Sequence, residues 1–373
     1  MNGTRRPSSP SPLSLGLALG LALALGCGSS GSGSGPIVFG GEGNRLNAYA
    51  PERGNRKQIV VERRSLDPNG WDLNGQICFD PDGSRRFIAG EDTHQPDPPP
   101  GWGYFQLAGE RVGELSARRI GKLTPTYQAS ASNSENYGCG FLSDGRLVTS
   151  DVGDQASGPA NGQLILWFPP FDRFDVPFCK LDVEIGTAGG IWIDDRDRIY
   201  LASARVKPGI YRYTGPFPTS ADAAGGCGRR DATGAPLADA VERELFIRAS
   251  SEIPTPGAII GSGSGGFFIS SIINGVIAEF DAGGVFRRRV LSPPPGEKLG
   301  AVPFSTGTPF GLGRDSRGTL YYADLGVVIA ADGIGPGPAL GTVRRIRFRG
   351  GEPLAPETIA DGLDFPDGIG VLE

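Results

Sequence analysis

The stretch Asp72 to Asp92, DLNGQICFDPDGSRRFIAGED, is a unit that this chain repeats, and it constrains the fold more than any other feature. A short run from Asn74-Gly75 alternates through Ile77 and Phe79. A turn, Asp80-Pro81-Asp82-Gly83, follows. A second run, Phe87-Ile88-Ala89, ends in acid at Glu91-Asp92. Pro and Asp favour such a reversal, and Gly accepts the positive φ that a tight turn needs, so the unit predicts a β-hairpin.

Four more copies are complete. Tyr137–Leu142 turns at Ser143-Asp144-Gly145 and returns to Asp151. Gly190–Ile193 turns at Asp194-Asp195-Arg196-Asp197 and returns through Ile199 to Ala202. Thr255–Ile260 turns through Gly263 to Gly266 and returns as Phe267–Ser270. Thr308–Leu312 turns at Asp315-Ser316-Arg317-Gly318 and returns to Asp324. The turn markers Gly83, Gly145, Asp197, Gly265 and Gly318 are spaced by 62, 52, 68 and 53 residues. Short strands at such a period predict propeller blades.

The sixth copy is split between the chain ends. Phe365–Val371 is a first strand without its return. Ile37–Phe39, Arg45–Tyr49 and Gln58–Val61 supply the missing strands from the other end. Joining them closes a ring and removes the exposed sheet edges. The expectation is an all-β fold, a six-bladed β-propeller with the last blade closed by both termini, over residues 36–373.

Residues 1–26 stand apart from that fold. Arg5 and Arg6 precede an apolar run, Leu13 to Leu25, which Gly26-Cys27 follows at once. This reads as a secretion signal. A run of about 13 residues falls short of the roughly 20 that a membrane-spanning helix needs. Ala24-Leu25-Gly26-Cys27 resembles a bacterial lipoprotein cleavage box, in which Cys27 takes a lipid and becomes the new N-terminus. Ala24 stands where such boxes usually have Leu, and an ordinary secretory signal with an incidental Cys is the alternative. Residues 27–35, Gly and Ser after Cys27, read as a flexible linker spanning roughly 16 Å. The expected location is the cell envelope on a lipid anchor, or else the periplasm or exterior, with a monomeric protein and no other membrane contact.

Composition agrees with export and excludes several function classes. The 60 Gly and 32 Pro are what a turn-rich β ring requires. The mature balance, after Arg5 and Arg6 are lost, is 34 Lys and Arg against 41 Asp and Glu, or −7. No basic stripe is present, which argues against nucleic acid. One short helix is expected around Ala238 to Phe246. Beyond Cys27 the cysteines are Cys78, Cys139, Cys179 and Cys227, with no C-x-x-C pair for zinc or haem. Cys179 and Cys227 are candidates to pair, whereas Cys78 and Cys139, near equivalent innermost strands of neighbouring blades, read as buried thiols. The single His, His94, rules out a multi-His metal site, and a Ser-His-Asp triad would have to use it.

Polar and irregular segments gather at one end of the predicted ring. The turns between first and second strands are short and uniform, as a scaffold requires. The connections from second to third strands are irregular, and they share a face with the entries to the first strands. They carry Glu91, Asp92, His94, Asp151, Asp154, Asn161, Arg205, Asn274 and Asp324. The entries carry Asn74, Asn136, Thr187, Thr255, Thr308 and Asp367. Loops on a rigid scaffold are where binding residues tend to lie. Asp92, His94, Asn136, Asp151, Asp154, Arg205, Asn274 and Asp324 are therefore the candidates for substrate contact, and turn capping is their alternative role. Trp71, Trp102 and Tyr104 flank this mouth as candidates to stack on a sugar ring or to pin a loop. The Asp-rich turns lack the spacing of a twelve-residue calcium loop and read as hairpins.

Leu73–Gly83 resembles the Asn-Gly strand and Pro-Asp-Gly turn of the senescence marker protein / gluconolactonase-like family. Phe365-Pro366-Asp367-Gly368-Ile369 resembles that family's Pro-Asp-Gly-hydrophobic motif, and cassettes such as Thr308–Asp324 resemble NHL-type repeats. The resemblance implies a six-bladed propeller and a divalent metal, often calcium, held by Asn74 and Asp367. That metal would polarise a lactone or ester carbonyl, with Asp367 as base. The family's Glu has no clear counterpart: Gly41-Glu42-Gly43 falls after a second strand, and Asn44 replaces the family's Pro. The order of the Asn-Gly and Pro-Asp-Gly motifs is also reversed. Two function classes follow: a metal-assisted lactone or ester hydrolase, or a non-catalytic surface scaffold binding a glycan, peptide or protein.

Overall fold

The computed structural model describes residues 35–62, 73, 75–91, 101–124, 136–151, 162–183, 185–204, 207–221, 241–293, 308–330 and 333–373. Residues 35–373 form one compact unit. Residues 1–34, which hold the expected secretion signal, Cys27 and nearly all of the expected linker, lie outside the described residues.

Among the described residues, six four-stranded antiparallel sheets form the ring, and two two-stranded hairpins, Val327–Ala330 with Gly333–Pro336 and Phe348–Arg349 with Glu352–Pro353, extend from blade 6. Blade 1 runs from the inside outward as Ile369–Leu372, Ile37–Glu42, Arg45–Ala50 and Arg56–Glu62. Its first strand comes from the C-terminus, paired Gly40 to Ile369 and Val38 to Val371. This is the predicted closure of the ring by both chain ends. Blade 2 is Cys78–Phe79, Arg86–Glu91, Gly101–Ala108 and Ser116–Leu123. Blade 3 is Asn136–Phe141, Leu147–Asp151, Gln163–Trp167 and Phe178–Asp182. Blade 4 is Ala188–Ile193, Ile199–Ser203, Gly209–Thr214 and Glu242–Arg248. Blade 5 is Pro256–Gly261, Phe267–Ser271, Val276–Phe280 and Phe286–Leu291. Blade 6 is Pro309–Arg314, Leu320–Asp324, Gly341–Ile346 and Glu357–Leu363.

Each blade is buried on both faces, so the apolar residues do not simply alternate with polar ones. Phe87 faces a core shared with blade 1, and its neighbour Ile88 faces a core shared with blade 3. Six such cores lie between successive blades around the ring. Burying apolar surface in these interfaces, at roughly 25 cal/mol per Å², is what holds the blades together.

The hairpin turns have the chemistry expected of them. Gly83, Gly145 and Gly318 have φ of 74°, 84° and 88°. Asp194 Oδ1 accepts the amides of Arg196 and Arg198 at 3.0 and 2.8 Å, and Asp315 Oδ1 accepts that of Thr319 at 2.7 Å. These Asp residues tie their own turns, and hairpin closure accounts for them.

Three features depart from the sequence reading. Cys78 and Cys139 are a disulfide, not two thiols: they face each other across neighbouring innermost strands with Cα atoms 6.0 Å apart. Cys179 is also disulfide-bonded, and Cys227 lies outside the described residues. The described part of the expected short helix, residues 241–246, falls in the outer strand of blade 4, Glu242–Arg248, which is paired to Gly209–Thr214. An open sheet edge outweighs helix propensity there. Trp102 and Tyr104 are buried between blades at 0% and 1% exposure and present no face to a sugar.

Candidate functional site at the channel mouth

One register recurs where the first two strands of a blade meet the mouth. Asn136 pairs with Asp151, Ala188 with Ser203, Pro256 with Ser271 and Pro309 with Asp324. In each, a bulge follows and the ladder resumes three residues on, at Cys139, Ile191, Ile259 and Leu312. A bulge re-aims the residues at its edge. Ser150 and Ser270 satisfy the amides freed by two of these bulges, accepting from Gly138 and Ala258 at 2.7 and 2.9 Å. Each then donates to the next blade's innermost strand, at Gly189 O and Phe310 O.

The second strands all end in a buried polar residue: Glu42, Glu91, Asp151, Ser203, Ser271 and Asp324. Three of the acids face a cation on the outermost strand of their own blade. Glu42 pairs with Lys57 at 3.2 Å. Glu91, fully buried, meets Arg119 at 3.0 Å and Lys122 at 3.6 Å. Burial lowers the pKa of the Lys180 ammonium while Asp151 pulls it back up. Asp324 instead caps its own loop, accepting the amides of Thr308 and Gly326 at 2.7 and 3.0 Å. Asn136 donates to Gly101 O at 2.5 Å. Asn274 donates to Glu252 O at 2.9 Å in a turn. Thr255 Oγ1 accepts the Ile273 amide at 3.0 Å. Asn74, Asp92, His94, Asp154, Asn161 and Arg205 lie outside the described residues.

Asp367 sits deeper. It is buried at 4% exposure, and its Oδ1 accepts the Gly75 amide at 2.7 Å. The Pro-Asp-Gly loop of blade 1 and the Asn-Gly loop of blade 2 therefore touch. The approach is so close that a Cβ on Gly368 would overlap the Gly75 carbonyl. Tyr137 donates its hydroxyl to Asp367 O at 3.3 Å. Its ring stacks on Phe310, centroid to centroid 4.2 Å. Tyr137 belongs to blade 3 and Phe310 to blade 6, so the pair meets across the ring axis. Gln76 adds a second crossing: Nε2 donates to Ile191 O at 3.0 Å, and Oε1 accepts from Cys139 and Ile191 amides at 3.3 and 3.1 Å.

Gln76, Tyr137 and Phe310 lie outside the set of site residues that the sequence points to. A signal for them existed. Gly75, Gly189 and Gly257 occupy the position of Tyr137 and Phe310 in blades 2, 4 and 5, and such small residues mark an axis too narrow for six large side chains. A Cβ on Gly257 would overlap the Phe310 ring.

A hard divalent cation takes six to eight oxygens. Among the described residues no group of three His, Cys, Asp or Glu could hold a metal. Asp367 supplies one carboxylate, and one of its oxygens is already bonded to Gly75. The described residues do not make a calcium cage.

No protein-family model matches the sequence, and no curated protein matches it. Solved structures do. A luciferin-regenerating enzyme is 14% identical, with a TM-score of 0.53 over 89% of this chain and 99% of that one. A chain of a nidogen/laminin complex is 11% identical, with a TM-score of 0.54 over 90% and 98%. A putative gluconolactonase also matches, at 12% identity and a TM-score of 0.45 over 75% and 77%. At such identities the likeness speaks for architecture: the chain is a six-bladed β-propeller.

Proposed function

We propose that the protein is an exported, lipid-anchored propeller that acts as a non-catalytic scaffold, binding a glycan, peptide or protein partner at its channel mouth. The observation that carries this reading is the engagement of five polar side chains at the mouth, Glu42, Glu91, Asn136, Asn274 and Asp324. Glu42 and Glu91 are held by outer-strand cations, Asp324 by its loop amides, and Asn136 and Asn274 by carbonyls. Groups so occupied shape a rim more readily than they move protons. The disulfide between Cys78 and Cys139 supports export, because such bonds persist in oxidising compartments. Anchoring is tested by palmitate labelling of the full chain in a bacterial host: label lost in Cys27→Ser supports it, and an unlabelled soluble wild type sinks it.

A second reading, metal-assisted hydrolysis of a lactone or ester, is favoured by one observation, the contact of Asp367 with Gly75. Thermal unfolding of the chelator-stripped protein, with and without calcium, separates the two. Asp367→Asn keeps an oxygen for the Gly75 amide but removes the charge. A saturable rise in midpoint by mass action, lost in that variant, would overturn the scaffold reading and turn attention to a lactone and ester panel. No rise, or equal rises, leaves hydrolysis through Asp367 without support.

A further inference from the structure

The face opposite the mouth is built from the turns between first and second strands, and two of its blade junctions are bridged by carboxylates. Between blades 3 and 4, Ser143 donates from N and Oγ to Asp197 at 2.7 and 2.6 Å. Between blades 6 and 1, the Ser316 amide donates to Glu373 at 2.6 Å. At the junction of blades 5 and 6 a guanidinium lies across the turns, and no ion pair holds it among the described residues. Arg314 ends the innermost strand of blade 6 and lies over the blade 5 turn, where a Cβ on Gly263 would overlap its guanidinium. Gly318, in its own turn, also lies beside it, with Nη2 3.5 Å from where a Cβ would stand. Arg314 Nε is buried and meets no acceptor among the described residues. The adjacent acid, Asp315, is taken by Arg317, the Thr319 amide and the Tyr321 hydroxyl.

The turn under Arg314 offers donors. It reads Ser262-Gly263-Ser264-Gly265-Gly266, with φ of 81° at Gly263 and 86° at Gly265. Ser262 Oγ accepts the Gly266 amide at 3.2 Å and lies 2.9 Å from Ser264 Oγ. With Ser262 donating to Ser264, the Ser264 hydroxyl proton is left for an outside acceptor. A buried guanidinium edge without an acceptor is costly, and Arg forks match tetrahedral oxyanions well.

We propose that Arg314 and the Ser262–Gly266 turn form an oxyanion site for a phosphate group at the blade 5–6 junction. The site takes an inorganic phosphate or the terminal phosphate of a small monoester. It is separate from the channel mouth, so it stands whichever reading of the mouth holds.

The test is calorimetric titration of inorganic phosphate and of glycerol phosphate into the full protein at constant ionic strength. Trp192 supplies a second readout, because its indole packs against Gly261 at the edge of the turn. One saturable site is expected, weakened at least tenfold in Arg314→Met and severalfold in Ser264→Ala. Arg314→Lys, which keeps the charge but loses the fork, should fall between. Ser264→Ala removes only an exposed hydroxyl, so it tests the site even if the Arg314 variants unfold. Binding of both ligands assigns the site to a terminal phosphate, and binding of inorganic phosphate alone assigns it to the free ion. Either result supports the proposal. No saturable binding, or unchanged affinity in Arg314→Met and Ser264→Ala, overturns it.

Discussion

Tyr137 and Phe310 stand on innermost strands of opposite blades and stack with centroids 4.2 Å apart and planes inclined at 33°. A contact between opposite blades must lie on the ring axis, so this pair closes the channel beneath its mouth.

That pair should also support the ring. Phe310→Ala is expected to lower stability by about 3 kcal/mol, since it leaves a void where opposite blades meet. In a double-mutant cycle with Tyr137→Ala, the coupling should be about 1 kcal/mol, the usual worth of an aromatic pair beyond its area. Urea unfolding of the four proteins measures both. Additive losses would mean that the rings only fill space independently.

The Cys78–Cys139 disulfide closes a loop of 61 residues. Chain-entropy reasoning gives such a loop about 4 kcal/mol. Reduction, or Cys78→Ser with Cys139→Ser, should lower the unfolding midpoint by several degrees, and thiol titration of the denatured, unreduced protein should leave both cysteines silent. Reactive thiols at both positions would contradict the pairing.

Glycines at the hub and at the rim should respond differently to one added methyl. Gly368→Ala puts a Cβ into the Gly75 carbonyl, and Gly311→Ala puts one into the Asp367 carbonyl. Backbone must move in both, and a loss beyond about 3 kcal/mol is expected. Gly43 has φ of 49° with nothing within 4 Å of its would-be Cβ, so Gly43→Ala should cost only the left-handed strain, about 1 kcal/mol. Thermal melts of the three variants check the ordering.

Alkaline pH should unfold the protein through its buried tyrosines. Burial raises Tyr321 and Tyr322 from 10.0 to about 12, with Asp315 as the next cause for Tyr321; for Tyr322, Arg344 acts in the lowering direction. In the unfolded chain both ionise near 10, so the folded state binds more protons between pH 10 and about 12. Stability from these groups is complete below pH 10 and falls as pH rises through that window. Tyrosinate absorbance should therefore appear in step with loss of β-sheet circular dichroism. Ionisation of all nine tyrosines near pH 10 with the fold intact would contradict it.

The ring was legible because its signals are local. Asp, Pro and Gly at fixed offsets dictate hairpins, and the split cassette at Ile37–Val61 and Phe365–Val371 can bury its edges only by joining the two chain ends. The polar types at the mouth were legible for the same reason. Their roles were not. Glu91 reads as a loop acid in sequence, yet it is fully buried because Arg119 and Lys122 arrive from an outer strand about 30 residues on. Cys78 found Cys139 because adjacent blades turn those two faces together, a fact of ring geometry that spacing does not encode. The run near Phe246 has helix-forming residues, but an open edge at Gly209–Thr214 captured it as a strand. The sequence by itself determined the number of blades, their turns and the closure, all of which follow from short-range backbone chemistry. Only the tertiary structure decided the aromatic pair, the disulfide and the unmatched Arg314, because each depends on which side chains distant strands bring face to face.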